Sequence, residues 1–361
     1  MFWKRRIYLD YAAGVAGNPS SPHYEGRMAK KKLEDARTSI ARLVEVQSDD
    51  VIFTSGATEA NALAILGLTK KGDHMLYLPS AHASIVENAM YVKERGVNGE
   101  PLAIKDGQID ISDLKKRIRS ETKLVVIEAV CGETGTIWNT REVKQAIGKT
   151  YLHVDASQAP LTEKITRAHF GADMLTLDAS KVGITRGIGA LIAHRTIPLT
   201  PLYAGGGQER GLRPGSEAPE LAERFAAALR AAACSREAFR ASAKRMRTEL
   251  IKTIMSAIPR VYINESRMQA PHILNLSLPG RDTDYLIALM DEAGFAVSSR
   301  SACETDSEDG SRAVVALTGD KERARATLRI SWGPNVGRRE FARFARALAQ
   351  EVAFIDSGGQ R

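Results

Sequence analysis

Short apolar runs alternate with helix-like segments between residues 51 and 194, and this alternation is the strongest constraint on the fold. Segments with helical periodicity, such as TEANALAILGL, lie between most of the runs. Continuous apolar strands separated by helices predict an α/β fold, with a mostly parallel sheet covered by helices on both faces. The runs are VIFTS (51–55), HMLYLP (74–79), LVVIEAV (124–130), YLHVDAS (151–157), ADMLTLD (172–178) and GIGALIA (187–193).

The chain from about residue 217 onward has a different pattern, which predicts a smaller α+β domain. A long helical region over roughly 217–258 is rich in Ala, Arg and Glu and indicates a connector. We therefore predict a large domain over 14–236 and a small domain formed by 1–13 and 237–361, and 361 residues are enough for two domains. The segments after the connector are the strand HILNLSL, the helix TDYLIALMDEAG, a loop with a cysteine, the strand TLRISW and the helix REFARFARALAQEVAFI.

Composition narrows the class of protein. The chain is 43% hydrophobic and 26% charged, which is ordinary for a soluble globular protein. No apolar run reaches the roughly 18 residues of a membrane span, and no apolar stretch suited to a signal peptide follows the basic N-terminus. Three cysteines without a CxxC pair indicate a reducing compartment and give no reason to expect a bound metal. We therefore expect a cytoplasmic protein without a membrane partner.

The net charge of +8 raises the question of a nucleic-acid partner. Lys and Arg are spread along helices with acids between them, as in AKKKLEDAR, and the sequence has no recognisable nucleic-acid-binding motif. This pattern favours a solvated surface, so we expect no direct nucleic-acid partner.

Polar residues follow five successive strands, at the edge of a parallel sheet where ligands bind. Taken singly, each has an ordinary explanation, such as capping of the next helix. Together they match a pyridoxal phosphate site, which needs a lysine for the Schiff base, an anion beside the pyridine nitrogen and a phosphate cup at a helix N-terminus. Burial at a strand end would lower the pKa of the lysine and favour its reactive, neutral form. The residues are Thr58, His82, Glu133, Asp155 with Gln158, and Lys181.

With these residues in place, the chain resembles the cysteine desulfurases, which are fold-type I pyridoxal-phosphate enzymes of the class V aminotransferase-like group. The matching stretches follow the family order over nearly the whole chain, and GGGQERG and the SSxSAC segment are the most specific. They are LDYAA (9–13), GNPSSPHYEG (17–26), FTSGATEANALAI (53–65), HVDASQ (153–158), SKVGITRGIGAL (180–191), GGGQERGLRPGS (205–216), SSRSACETD (298–306) and LRISWG (328–333).

The resemblance implies a fold-type I architecture with a seven-stranded sheet and pyridoxal 5'-phosphate as cofactor. Around the cofactor ring, Lys181 would form the Schiff base and Asp155 would pair with the pyridine nitrogen. Gln158 would bond the ring hydroxyl, and His82 would stack on the ring and handle protons.

The same resemblance implies the remaining sites. Ala57, Thr58 and Ser180 would serve the cofactor phosphate. Ser216 would reach the phosphate of a neighbouring subunit, which implies a homodimer. Arg329 would hold the substrate carboxylate by a bidentate pair.

The implied reaction takes L-cysteine to L-alanine. Cys303, in a polar loop, would be the nucleophile and would carry the sulfur as a persulfide to an acceptor or scaffold protein. Whether the sulfur serves iron–sulfur cluster assembly, tRNA thiolation or another pathway stays open. Two alternatives also remain: a selenocysteine lyase or other class V enzyme, and a catalytically degenerate relative that acts as a binding partner.

Three positions depart from the family pattern. Gly132 stands where relatives carry an asparagine, so the ring hydroxyl would lose a hydrogen bond. Asp178 and Ser180 stand where relatives carry a serine and a histidine that serve the phosphate. If Asp178 faces the phosphate it repels it, and if it points elsewhere the cup loses a donor.

Overall fold

The computed structural model describes residues 6–299 and 310–359. Within them, the strands are β1 (Val51–Thr54), β2 (His74–Tyr77), β3 (Asn98–Pro101), β4 (Ile104–Lys105), β5 (Gln108–Ile109), β6 (Thr122–Glu128), β7 (Tyr151–Asp155), β8 (Met174–Asp178), β9 (Gly189–Ala193), β10 (Tyr262–Ile263), β11 (Ile273–Ser277) and β12 (Thr327–Ser331). The helices are α1 (Tyr24–Val44), α2 (Ala57–Leu66), α3 (Ala83–Glu94), α4 (Ile111–Arg117), α5 (Thr140–Ile147), α6 (Arg167–Phe170), α7 (Pro219–Ala257), α8 (Thr283–Glu292), α9 (Arg312–Thr318), α10 (Lys321–Arg325) and α11 (Arg338–Asp356).

A seven-stranded sheet forms the centre of the larger part, in the order β1-β9-β8-β7-β6-β2-β3. The pairings from β8 through β7, β6 and β2 to β3 are parallel, whereas β9 runs antiparallel to both β1 and β8. All six predicted apolar runs form strands of this sheet, which confirms the predicted α/β fold with its mostly parallel sheet. The seventh strand, β3, was not predicted because it is a partly exposed edge strand (NGEP) without an apolar run.

The second part is built on the antiparallel sheet β10-β11-β12, against which α8, α11 and the second half of α7 pack. Helix α7 contributes Phe225 and Leu229 to the first hydrophobic cluster, and Phe239 and Leu250 to the second. On these two clusters we base the proposal that the chain divides near residue 236. Among the described helices, even this 39-residue one, none is both long and apolar enough to span a membrane.

The placement of residues 1–13 within the small domain stays a prediction. Arg6 donates to Glu25 at 2.8 and 2.9 Å, and Asp10 accepts a hydrogen bond from Ser21 at 2.9 Å and lies 3.0 Å from His23 Nε2. These contacts are made with the segment that leads into α1 and with the first turn of that helix.

The GGGQERG motif forms a buried ion pair that ties three elements together. The Glu209 carboxylate accepts from Arg37 Nη1 and Nη2 at 2.8 and 2.7 Å, and from the Phe53 backbone N–H at 2.8 Å. Arg37 also donates to the Val51 carbonyl at 2.6 Å. Glu209 adopts φ 48°, a left-handed conformation that turns its side chain inward. The motif therefore fixes α1 and the edge strand β1 to the chain that follows β9.

We predict that Glu209→Gln lowers the free energy of unfolding by about 3 kcal/mol, because it leaves the buried Arg37 charge with only the half-exposed Glu34, at 3.1 Å, as a partner. The Glu209 side chain is only 1% exposed. Urea unfolding followed by far-UV circular dichroism measures the effect. Lys31→Ala is the matched control, since it removes an ion pair with Asp35 that is 66% exposed on both sides, and it should change stability by less than about 0.5 kcal/mol. Equal effects of the two substitutions would contradict the prediction.

Candidate active site

A cavity of about 310 Å³ opens where the carboxyl ends of β6, β7 and β8 meet the N-terminus of α2. Parallel strands place their ends on one edge of the sheet, so residues far apart in sequence converge there. Arg329 enters from β12 of the smaller sheet. Nine of the predicted site residues line the cavity: Ala57, Thr58, His82, Glu133, Asp155, Gln158, Ser180, Lys181 and Arg329.

Asp155 ends β7 at the floor of the cavity and is held as a fixed hydrogen-bond acceptor. Its Oδ2 accepts from Asn61 Nδ2 at 2.7 Å, and its Oδ1 accepts from the Ser157 N–H at 2.9 Å. Asn61 Oδ1 in turn lies 2.9 Å from His153 Nε2. Burial lowers the pKa of His153 to about 4, so the ring is neutral and donates from Nε2 to the Asn61 oxygen. The network fixes both the position and the orientation of the Asp155 carboxylate.

Sequence reasoning missed Asn61, although a signal was available. Asn61 lies in α2 (ATEANALAIL), where most other residues are apolar, and it is fully buried. A buried amide needs hydrogen-bond partners, so an asparagine on the apolar face of a helix indicates a polar group opposite it.

His82 belongs to the same network. Its Nδ1 accepts from the Ser84 N–H at 3.1 Å and lies 2.9 Å from the Ser84 hydroxyl. In the neutral ring, the proton is therefore assigned to Nε2. Ser84 Oγ accepts from Asn61 Nδ2 at 2.9 Å, so a continuous set of hydrogen bonds joins His82 to Asp155.

Glu128 is a second buried carboxyl that the sequence reading treated as part of an apolar strand. It ends β6, pairs in register with Asp155 and is 5% exposed. Burial, and then the negative charge of Asp155, raise the pKa of Glu128 well above its ordinary value. Its Oε1 has no hydrogen-bond partner among the described residues although it lines the cavity. A buried polar atom in this state indicates a cavity that receives a polar ligand.

Cys131 shares this environment. Burial and the nearby Glu128 raise the pKa of its thiol, which keeps it protonated and unreactive.

Asp178 lies at the opening of α2, where the resemblance places the cofactor phosphate. Its Oδ2 accepts from the Ala57 N–H at 2.8 Å. Its Oδ1 accepts from the Ser180 N–H at 2.8 Å and from the Ser180 hydroxyl at 2.6 Å. The carboxylate approaches this closely because Gly56 has no side chain, since a Cβ there would lie 3.2 Å from Oδ2. Of the two orientations open to Asp178, the structure has the one that faces the N-terminus of α2.

Gly132 is explained by its neighbour Gln158. A Cβ on Gly132 would lie 2.9 Å from Gln158 Nε2 and 3.3 Å from Cδ and Cγ. The Gln158 side chain therefore packs in the space that a larger residue at position 132 would need.

Three expectations from the sequence concern Lys181, Ser216 and Cys303. Lys181 is exposed in the single chain, so the expectation that it is buried is wrong: β8 ends at Asp178 and the short 3-10 turn Ala179–Lys181 carries the lysine to the open rim. Ser216 is exposed and is not among the residues that line the cavity of its own chain. Cys303 lies outside the described residues.

The residues present fit pyridoxal phosphate at the ring end. The Asp155 carboxylate suits a protonated pyridine nitrogen, His82 offers a flat ring, and Lys181 supplies an amine. A volume of about 310 Å³ lies at the lower end of the range for small-molecule sites. At the phosphate end, Thr58 offers a hydroxyl, while Asp178 bonds two other predicted donors.

The buried state of His153 predicts a pH dependence of stability. Its folded pKa of about 4 lies below the ordinary value of 6.5, so its contribution is fully present above pH 6.5. As the pH falls from 6.5 to about 4 the unfolded chain binds one more proton, and stability decreases by about 1.4 kcal/mol per pH unit. His153→Gln, which keeps a donor for Asn61, should remove this one-proton slope in urea titrations at several pH values. His194→Gln, in a surface turn, is the control, and parallel curves for wild type and His153→Gln would refute the assignment.

Comparisons with known proteins identify the family of this chain. A family model described as Aminotransferase class-V matches residues 6–344. The protein named cysteine desulfurase IscS 1 from Archaeoglobus fulgidus is 33% identical over 334 residues, which cover 90% of this chain and 87% of the relative.

Solved structures share the fold. One named NifS-like protein has a TM-score of 0.87 at 25% identity and covers 94% of this chain and 92% of its own. Another, named SspA in complex with cysteine, has a TM-score of 0.74 at 27% identity, with 90% and 93% covered. The chain therefore belongs to the class V aminotransferase family and, within it, to the cysteine desulfurases.

Proposed function

We propose that this chain is a cysteine desulfurase, which removes sulfur from L-cysteine and releases L-alanine. The family is pyridoxal-phosphate-dependent, so that group is the cofactor of this chain. One observation carries the proposal: Lys181, Asp155 and Arg329 come from separate parts of the chain and converge in a single cavity. An amine, a fixed carboxylate and a guanidinium are the groups needed to activate and orient a small amino acid.

Arg329 is suited to bind the substrate carboxylate. Its Nη1 donates to the Gly132 carbonyl at 3.3 Å, which holds the side chain against the loop after β6 and leaves further N–H groups for a ligand. Asn275, its register partner on β11, donates to the Glu133 carbonyl at 3.3 Å in the same loop. The smaller sheet is therefore attached to the cavity wall through two neighbouring carbonyl groups. A related protein named as a complex with cysteine supports an amino-acid substrate.

The other residues act on the bound substrate. When bound, the cofactor supplies an electron-withdrawing ring that weakens the bond between Cα and its hydrogen. Lys181 accepts that proton on its amine and returns a proton to Cα once the sulfur has left, which the product alanine requires. Asp155, held by Asn61 and Ser157, keeps the ring nitrogen protonated, and His82 covers one ring face.

Cys303 then receives the sulfur. Its thiolate attacks the substrate sulfur, the Cβ–S bond breaks, and the bonding electrons go to Cβ, which takes up a proton. L-Cysteine and the enzyme thiol thereby give L-alanine and an enzyme persulfide, without an external oxidant.

The reach of the Cys303 segment is compatible with this step. The backbone of Ser298 exchanges two hydrogen bonds with that of Arg329, at 2.6 and 3.3 Å. Cys303 is five residues further along, a distance of at most about 17 Å in extended chain. The segment that carries the cysteine therefore starts beside the proposed carboxylate ligand.

We propose a homodimer as the assembly, with a separate sulfur-acceptor protein. Exposed apolar residues lie around the open rim of the cavity: Ile184 follows Lys181 by three residues, and the hydroxyl of the half-exposed Tyr203 donates to Glu59 in the first turn of α2 at 2.9 Å. Exposed Ser216 is then available to the partner's cavity. Solvent-facing apolar side chains beside a ligand site favour coverage by a second copy.

We also propose a cytoplasmic location. A reaction that depends on a free thiol needs a compartment that keeps thiols reduced, and the described cysteines Cys131 and Cys234 are not paired in a disulfide.

We predict that wild-type protein with cofactor forms alanine and a persulfide when given L-cysteine. Cys303→Ser should abolish persulfide and lower alanine formation at least about a hundredfold, because the acceptor for the sulfur is missing. Cys234→Ser is the matched control, since this exposed thiol on α7 should leave both unchanged. Alanine is measured by amino-acid analysis, and persulfide by mass spectrometry of alkylated peptides.

The same assays test the alternatives. Lys181→Ala should lose both activity and the visible absorbance of the bound cofactor. Full sulfur release by Cys303→Ser would exclude the persulfide mechanism. Faster turnover of selenocysteine would favour a selenocysteine lyase, and a wild type that cannot be reconstituted would favour a degenerate binding partner.

The homodimer gives a separate prediction. Ile184 is fully exposed in the single chain, and Ile184→Asp should shift the protein from dimer to monomer in sedimentation velocity, because a buried charge opposes association. Met255→Asp, at an exposed apolar position on the end of α7, is the control and should remain dimeric. A monomeric wild type would refute the proposal.

A further inference from the structure

We propose that the Asp178 carboxylate is a resident anion in the phosphate-binding position. As a result, this chain binds its cofactor mainly through the ring and selects weakly for the phosphorylated form over pyridoxal. The inference rests on the proposed function in one respect: pyridoxal phosphate is taken to bind in the cavity described above.

The first argument is that hydrogen-bond donors expected to bind the phosphate are already occupied. Ala57, Thr58 and Ser180 are the residues expected to serve a phosphate. Asp178 accepts from the Ala57 N–H at 2.8 Å, and from the Ser180 N–H and hydroxyl at 2.8 and 2.6 Å. Two of the three expected phosphate ligands therefore already donate to a carboxylate of this chain.

The second argument separates this contact from an ordinary turn. Asp110 forms the same local Asp-x-Ser arrangement, with its Oδ1 accepting from the Ser112 N–H at 2.9 Å and from the Ser112 hydroxyl at 2.7 Å. Local geometry therefore accounts for Oδ1 of Asp178. It does not account for Oδ2, which crosses from the end of β8 to the first residue of α2, 121 positions away in sequence. That oxygen lies at the positive end of a ten-residue helix, where an external anion would bind.

The third argument concerns charge. Among residues 6–299 and 310–359, no ion pair neutralises Asp178. A second carboxylate, Glu59, lies in the first turn of the same helix, and the nearby cation, Arg213, is paired with it at 3.3 Å. The Asp178 carboxylate therefore stands at the N-terminus of α2 without a paired cation among the described residues, and a second carboxylate lies in the same turn of the helix.

Either response of Asp178 lowers phosphate affinity. If the carboxylate stays, it repels a dianion at close range. If it turns away, it gives up three hydrogen bonds to charged oxygen, which are stronger than neutral ones. The ring end keeps its contacts in both cases, because Asp155 and Lys181 do not depend on Asp178.

The experiment compares two probes on the cofactor-free full-length protein. Pyridoxal phosphate and pyridoxal are each titrated, and visible absorbance gives an apparent Kd for each. In wild type, the two constants should differ by less than about tenfold. Asp178→Ser should lower the apparent Kd for pyridoxal phosphate at least about tenfold and change that for pyridoxal less than about threefold, since only the phosphate meets the removed charge. Asp178→Asn, which keeps the size of the side chain, should shift the ratio in the same direction.

Asp110→Asn is the matched control, since it alters the same type of Asp-x-Ser turn away from the cavity and should leave both constants unchanged. A second readout uses inorganic phosphate alone, which should raise the thermal midpoint of Asp178→Ser more than that of wild type. The cofactor titrations and the thermal midpoints can both be interpreted even if no alanine is formed.

The outcomes distinguish the two proposals. Two results would overturn the resident-anion proposal while leaving desulfuration intact. The first is a wild-type preference for pyridoxal phosphate above about a hundredfold. The second is an Asp178→Ser protein that folds normally by circular dichroism and has an unchanged ratio of the two constants. A shifted ratio without alanine formation supports the role of Asp178 and rejects the activity. Absence of saturable binding of either probe in all variants overturns both.

Discussion

A buried carboxylate at the centre of the sheet sets the requirement on which the site depends. Asp155 ends the middle strand β7 and is 6% exposed, so its oxygens need fixed donors. Asn61 and Ser157 provide them, and neutral His153 completes the partners of Asn61. Because these groups come from β7 and α2, satisfying one carboxylate also fixes the helix whose N-terminus borders the cavity. The same hydrogen bonds extend through Ser84 to His82, so the floor and one wall of the site are mutually dependent.

Two long-range attachments then complete the cavity. The Arg37–Glu209 pair secures the edge strand β1, which leads directly into α2. On the other side, Asn275 and Arg329 bring the smaller sheet against the loop after β6. Both attachments use polar groups with defined geometry, and this gives the cavity a fixed width that a purely apolar contact would define less well.

At the phosphate end, one residue difference changes which anion the N-terminus of α2 binds. A serine at position 178 would donate to an anion, whereas the aspartate accepts from the same neighbours and supplies the anion itself. The helix N-terminus and the close approach permitted by Gly56 serve a carboxylate as well as they serve a phosphate. At the ring end, Gly132 has no side chain, and the Gln158 side chain fills the space that this leaves.

Much of this protein was readable from its sequence. Apolar runs and helical periodicity predicted six strands of the main sheet, because burial on both faces leaves a continuous apolar signal. The polar residues at strand ends predicted six of the cavity residues, and the family resemblance added Ala57, Ser180 and Arg329. The polar edge strand β3, the antiparallel direction of β9 and the exposure of Lys181 were not readable, since periodicity carries no information on strand direction or on where a turn ends.

The sequence by itself determined which chemical groups are present at the carboxyl edge, because each follows a strand that its own residues specify. Only the tertiary structure decided what those groups do to one another. Asn61 supports Asp155, burial beside Asp155 raises the pKa of Glu128, and Asp178 accepts from the first N–H of α2. Each of these contacts joins residues that the chain separates widely, and hydrogen bonds and charges act over a few ångströms in space without regard to distance along the chain.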